Sequence, residues 1–205
     1  NLDEVLDAGY DVLDVPDFIY PWSLWFAENH PNVWLTVWYN LPWNAPWTEV
    51  QRYHKAVRGY ICRSQQAVNM VRYLVGDDKP IHLVPAGVDT ALFSPAVSWP
   101  ETFQALFVGR LAWEKGIMDM VYATRGLDGK RSVLRCVGDG QFRSWLTDNA
   151  VAAEGYVAHH ELPAIYRQAT LFLYPSLPTL AWQEQFGISV IEAMACGLPV
   201  IVSDS

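Results

Sequence analysis

Apolar positions along the chain fall into short runs that alternate with stretches of helical spacing, and the alternation starts twice. In the first half, runs at 12–15, 33–38, 60–62 and 81–84 predict strands, while 23–29, 47–57 and 65–75 predict helices, the last with Ser64 at its N-cap. In the second half the predicted strands are 105–108, 133–137, 156–157, 170–174 and 198–202. Helices are predicted at 116–124, 141–152 and 161–168, and a short one carries Ile188, Ile191 and Ala195 before Gly197 stops it. Strands separated by single helices imply right-handed βαβ units on a parallel sheet, so two series predict two doubly wound α/β domains.

The stretch Pro85-Ala86-Gly87-Val88-Asp89-Thr90-Ala91-Leu92-Phe93-Ser94-Pro95 separates the two series. Its prolines and Gly87 suit a connection better than an element interior, which places a domain boundary near Pro95, with 1–95 before it and 96–205 after it. The β-branched run 198–202 reads as a strand buried on both faces. The chain begins without a glycine-rich first turn and ends just after that run, so the expectation is an internal segment with both domains incomplete.

Composition narrows the function classes. With 51% hydrophobic residues the 205-residue chain can bury a core, and a net charge of −8 argues against a general nucleic-acid binder. Cys62, Cys136 and Cys196 show no metal-ligand spacing, and an odd, scattered set favours a reducing compartment, so cytoplasm is the expected location. No apolar run has the length of a membrane helix, which leaves only peripheral association, for instance at the inner face of a membrane. Many of the ten tryptophans lie between Trp22 and Trp47, where they suit a core, an acceptor surface or an interfacial belt.

The candidate chemistry sits at predicted strand ends, where open α/β sheets bind ligands. Gly109-Arg110-Leu111-Ala112-Trp113-Glu114-Lys115-Gly116 follows a strand and enters a helix. Arg110 and Lys115 there suit a diphosphate, whose charge a guanidinium fork and an ammonium would neutralise together; singly, each could as well pair with a carboxylate or face solvent. Gly138-Asp139-Gly140 permits close backbone approach to a ligand, or simply a tight turn. Further on, Glu184 precedes a helix and Glu192 lies inside it, with the Phe186-Gly187-Ile188 amides opening the helix between them. Free N–H groups at a helix start hold an anion and flanking carboxylates hold hydroxyls, so a phosphate joined to a sugar is the ligand these residues describe. His159 and His160 lack a third ligand at a useful spacing and read as surface or cap residues, with no metal site assigned.

A Glu, seven residues and a Glu, with Phe-Gly after the first and Ala-Met-Ala-x-Gly-x-Pro-Val after the second, resembles the donor-site motif of retaining glycosyltransferases of family 4. Gly-Arg-Leu-x-x-x-Lys-Gly resembles the family's other donor-side signature, and the 85–95 stretch resembles the segment before its interdomain linker, with Ala86 in place of a common Asn. The resemblance implies a GT-B fold of two Rossmann-like domains, the first on the acceptor side and the second binding a nucleotide-diphosphate sugar. It implies that Arg110 and Lys115 contact the diphosphate, that the Gly187 and Ile188 amides cradle donor oxygens beside Phe186, and that Glu184 binds the transferred sugar and Glu192 the ribose. Gly109 and Gly138 would border the donor, and the backbone around Val157 the nucleotide base. No cofactor is implied beyond the nucleotide sugar as co-substrate, and the acceptor, whether a glycan, a lipid-linked molecule or a small molecule, stays open. Many family members end a first-domain strand in Thr-Val-His; here the residues are Thr36-Val37-Trp38, and no catalytic base is assigned. An epimerase or phosphorylase on the same fold, or a non-catalytic nucleotide-sugar binding module, are the alternatives.

Overall fold

The computed structural model describes residues 2–16, 21–38, 46–127, 133–179, 182–184 and 186–204. The loop expected at 40–46 lies outside them except for Pro46, as do Gln185 and the end residues Asn1 and Ser205. Two compact units are present, Asn1–Ala86 and Gly87–Ser205.

In the first unit α1 (Leu2–Asp7) precedes β1 (Leu13–Pro16), α2 (Pro21–Asn29), β2 (Val33–Val37), α3 (Trp47–Ala56), β3 (Gly59–Cys62), α4 (Gln65–Val75) and β4 (Ile81–Leu83). The four strands are parallel in the order β1-β2-β3-β4. Helix α4 follows from local chemistry. Ser64 Oγ accepts a bond from Ala67 N at 3.1 Å, Ala67, Val68 and Val71 form the buried face, and Gly76 at φ 82° ends it. The carboxyl end of α3 is held from outside, since the Lys79 ammonium donates to the His54, Lys55 and Val57 carbonyls left over by the helix. Leu24, Phe26, Val33, Leu35, Val37, Tyr53, Tyr60 and Val71 fill the core around the central strands.

The second unit comprises β5 (Ala105–Val108), α5 (Ile117–Thr124), β6 (Leu134–Val137), α6 (Arg143–Asp148), β7 (Ala152–Glu154), α7 (Leu162–Tyr166), β8 (Leu171–Tyr174), α8 (Ile188–Ala195) and β9 (Val200–Val202). All five strands are parallel, in the order β7-β6-β5-β8-β9. The order reverses between β5 and β8, and the crevice at such a switch is where α/β sheets of this kind bind ligands. Every residue of β5 is buried, as expected of a strand at that point.

Four expectations differ from the structure. The helix predicted to 152 ends at Asp148: Ala150 turns to φ 57°, Val151 N bonds back to Leu146 O, and the chain leaves as β7. β7 pairs with β6 at Ala152–Glu154, fastened by Arg135 to Glu154 at 2.6 Å, so the strand is not at 156–157. The strand predicted as buried on both faces, β9, stands at the end of the strand order among the described strands, and its Ile201 is 56% exposed. The units also divide between Ala86 and Gly87, whereas the sequence boundary is near Pro95. Phe93 is the reason: it is fully buried in the core of the second unit, with Val88 and Leu92 packed alongside.

Candidate active site

The loops after β5, β6 and β8 are packed into one another so tightly that glycine is required. A Cβ on Gly138 would lie 2.0 Å from Gly109 O, and one on Gly116 would lie 2.2 Å from Pro175 O. Gly116 is also left-handed, at φ 64°. Leu177 N donates to Glu114 O at 2.8 Å, tying the loop after β8 to the 3-10 turn Trp113–Lys115. This packing fixes where Lys115 points.

Lys115 is 6% exposed. Its ammonium donates to Tyr174 Oη at 2.9 Å and to Glu184 Oε2 at 2.5 Å, and lies 4.9 and 4.6 Å from the ring centroids of Tyr174 and Trp182. Ser176 Oγ donates to the same Glu184 oxygen at 3.1 Å. Burial tends to raise the Glu184 pKa, but the hydrogen bond and charge of Lys115, with Tyr174 and Ser176, hold it below the ordinary carboxylate value. Burial raises the Tyr174 phenol, and the neighbouring Glu184 raises it further, so Tyr174 stays a neutral hydroxyl. A buried cation, a carboxylate and two hydroxyls thus meet at the switch point.

A second cluster forms around α8. Gly187, left-handed at φ 65°, opens the helix, and the exposed Ile188 is its first residue. Glu192, 4% exposed, accepts from Tyr166 Oη at 2.9 Å through Oε2 and pairs with His159 Nε2 at 2.8 Å through Oε1. The His159 ring packs on Phe93, centroids 5.0 Å apart, and Phe93 meets Tyr166 edge-on at 5.9 Å. A carboxylate has about four lone-pair directions, so Glu192 keeps acceptor capacity beyond these two bonds.

The structure therefore brings Lys115 and Glu184 into contact and places Glu192 in a separate cluster on the helix that follows. Arg110 is not drawn in with Lys115: its side chain is 64% exposed and donates to Glu114 Oε1 at 2.6 Å, the carboxylate pairing open to it from sequence. Gly109 directly follows β5, Gly138 serves the contact with Gly109, Val157 is half-buried against the core and Phe186 is half-buried. Sequence reasoning missed Tyr166, Tyr174, Ser176 and Trp182; His159 is the exposed residue it was read as, at the start of a 3-10 turn, but its bond to Glu192 was not foreseen. His160 is exposed. Only the place of His159, within the segment Tyr156-Val157-Ala158-His159-His160-Glu161-Leu162-Pro163 that resembles the family's base-bordering stretch, hinted at a neighbouring ligand. The three cysteines are buried and unpaired, and burial pushes the Cys62 and Cys136 thiols up to about 11 and about 12, so neither is a ready nucleophile.

A family model described as glycosyl transferases group 1 matches residues 102–205. The chain belongs to the group 1 glycosyltransferases. The glycogen synthase of Mycobacterium tuberculosis is 32% identical over 136 residues, covering 60% of this chain and 32% of that protein. The D-inositol 3-phosphate glycosyltransferase of Pseudarthrobacter chlorophenolicus is 29% identical over 168 residues, 68% of this chain and 38% of that protein. The chain thus spans about a third of the length of these relatives. Among solved structures, Anabaena HepE in complex with UDP superposes with a TM-score of 0.77 at 18% identity, over 100% of this chain and 63% of that one. Sucrose-phosphate synthase from Thermosynechococcus elongatus superposes with a TM-score of 0.74 at 22% identity, over 98% and 58%. These likenesses establish the α/β GT-B fold with its two parallel sheets.

Proposed function

We propose that the protein is a retaining glycosyltransferase of family 4 that moves a sugar from a nucleotide-diphosphate donor to an acceptor hydroxyl. The observation that carries this reading is the meeting of Lys115 and Glu184 at the β5/β8 switch, with Glu192 on the next helix. A donor seated there takes Lys115 and the exposed Arg110 on its diphosphate, the first amides of α8 on its oxygens, Glu184 on the sugar hydroxyls and Glu192 on the ribose. The structures of HepE with UDP and with UDP-glucose support a nucleotide-sugar donor.

As the bond from the anomeric carbon to phosphate breaks, the electron pair leaves on the diphosphate, where the positive groups act most strongly on the transition state. The acceptor oxygen bonds to that carbon on the same face and its proton passes to the departing phosphate, so no separate side-chain base is assigned. Charge neutralisation by Lys115 and Arg110 calls for no resident cofactor. The acceptor is a glycan, a lipid-linked molecule or a small molecule. The location is cytoplasmic, with association at the inner membrane face compatible; no helix among the described residues is long and apolar enough to cross a membrane.

Thermal denaturation of the protein with UDP, GDP and ADP sugars identifies the donor, and product analysis by NMR reads the anomer. The expected result is transfer with the donor's anomeric configuration kept. An inverted product overturns retention, a new nucleotide sugar formed without acceptor identifies an epimerase, dependence on inorganic phosphate a phosphorylase, and binding with no turnover a binding module.

A further inference from the structure

We propose that Arg63 anchors an anion-binding site at the carboxyl edge of the first sheet, which takes a carboxylate or phosphate carried by the acceptor. The anion site stands on geometry, whereas its assignment to the acceptor rests on the glycosyltransferase reading above.

Trp38, Arg63 and Val84 each directly follow a strand, and the three strands are neighbours: Val37 is in register with Cys62, and Cys62 with Leu83. The three residues therefore stand in a row beyond the carboxyl ends of β2, β3 and β4, the edge at which open α/β sheets bind ligands. Backbone bonds hold the row, Arg63 N to Val37 O at 3.0 Å and Val84 N to Cys62 O at 2.9 Å. The guanidinium of Arg63 lies over the Trp38 ring, Cζ 5.0 Å from its centroid, and Nη1 donates to Val84 O at 3.3 Å.

Like Arg125 and Arg167, Arg63 pairs with no carboxylate among the described residues, whereas Arg52, Arg72, Arg110, Arg135 and Arg143 do. One feature of Arg63 is unusual. Its Nε is buried and has no hydrogen-bond partner, the one such side-chain atom found among the described residues. A buried donor without an acceptor is unfavourable, and native proteins rarely keep one without a use. Stacking on an indole fixes the plane of a guanidinium, and with Nη1 turned to Val84 O the edge left for a bidentate oxyanion is that of Nε and Nη2, which a ligand must uncover because Nε is buried. Arg63 also leads directly into Ser64 and α4, whose dipole adds positive potential at this edge. Lysine in its place would supply charge without the fork.

The test is NMR of the full chain labelled with 15N-arginine, in which Arg63→Lys identifies the Arg63 Nε–H signal by its loss. The signal is followed during titration with glucuronate, glucose 6-phosphate, glucose and sodium chloride at matched ionic strength. A saturable shift with glucuronate or with glucose 6-phosphate, absent with glucose and chloride, supports the site and tells carboxylate from phosphate. No shift with either anion, or an equal shift with chloride, overturns it. By calorimetry, Arg63→Gln should lose the anion's advantage over glucose, and Arg63→Lys should weaken it about tenfold. In transfer assays, Arg63→Gln should raise KM for anionic acceptors while nucleotide-sugar affinity is kept; an unchanged acceptor KM removes the acceptor assignment. Anion binding without any sugar transfer would refute the glycosyltransferase reading and leave the site standing, whereas transfer that ignores Arg63 refutes only the site.

Discussion

Lys115 Nζ lies 2.5 Å from Glu184 Oε2, joining residues 69 apart in sequence across the point where the strand order reverses. In this arrangement the group proposed for the diphosphate neutralises the group proposed for the sugar. Lys115 keeps Glu184 ionised, the two hold each other in place, and a donor must part them to engage both.

Removing one partner should therefore hurt more than removing both. Lys115→Met leaves a half-buried carboxylate without its cation and should destabilise the protein by about 2 kcal/mol, and Glu184→Gln by about the same. The double variant should lose clearly less than the sum. Urea denaturation of the four proteins in a double-mutant cycle measures the coupling; additive losses would mean that the pair contributes nothing.

The same pair has a pH signature. Glu184 has a folded pKa below its ordinary value of 4.5, so the stability it contributes is fully present above that value and is lost as pH falls through the lowered folded value. Denaturation midpoints measured from neutral to acid pH should show this loss in the wild type, and it should shrink in Lys115→Met.

Glu192 depends on Tyr166 and His159 in a different way, because both donate to a carboxylate that is almost fully buried. Tyr166→Phe removes one donor and should cost about 1 kcal/mol, whereas Glu192→Ala leaves the buried Tyr166 hydroxyl only its longer 3.3 Å bond to Ser189 O and opens a cavity, and should cost about 2–3 kcal/mol. Chemical denaturation checks the order. On the ribose reading, donor KM should also rise more in Glu192→Gln than in Tyr166→Phe.

Two glycines separate backbone strain from crowding. Gly116→Ala meets both a left-handed backbone and Pro175 O, while Gly126→Ala has a similar φ of 78° with open space around it. Gly126→Ala should cost about 1 kcal/mol and Gly116→Ala at least about 2 kcal/mol, with the Gly116 variant also losing donor binding because the loops carrying Lys115 and Ser176 are forced apart. Thermal denaturation and nucleotide titration give the two readouts.

Much of the fold is legible from periodicity, capping and glycine placement. The ranges Gln65–Val75 and Ala105–Val108 follow from their apolar pattern, and Ser64 caps as its residue type dictates. Misreadings fall where a non-local contact overrides a local preference. The helix through Asp148 continues by propensity towards Ala152, but pairing with β6 and the Arg135–Glu154 bridge take those residues into a strand. Phe93 lies inside a connector by composition, yet the aromatic surfaces of His159 and Tyr166 draw it into the second core.

The sequence by itself determined the two βαβ series, the strand ends that carry the candidate chemistry, and the motifs by which Arg110, Lys115, Glu184 and Glu192 resemble a donor site. Spacing along the chain is enough for these, because helix and strand periods are local. Only the tertiary structure decided which of those groups meet. It turned Arg110 to solvent beside Glu114, buried Lys115 against Glu184, Tyr174 and Trp182, and covered Glu192 with Tyr166 and His159. The reason is that these contacts arise from loops and helices packed at one sheet edge, and that packing is fixed by strand order, which no local pattern encodes.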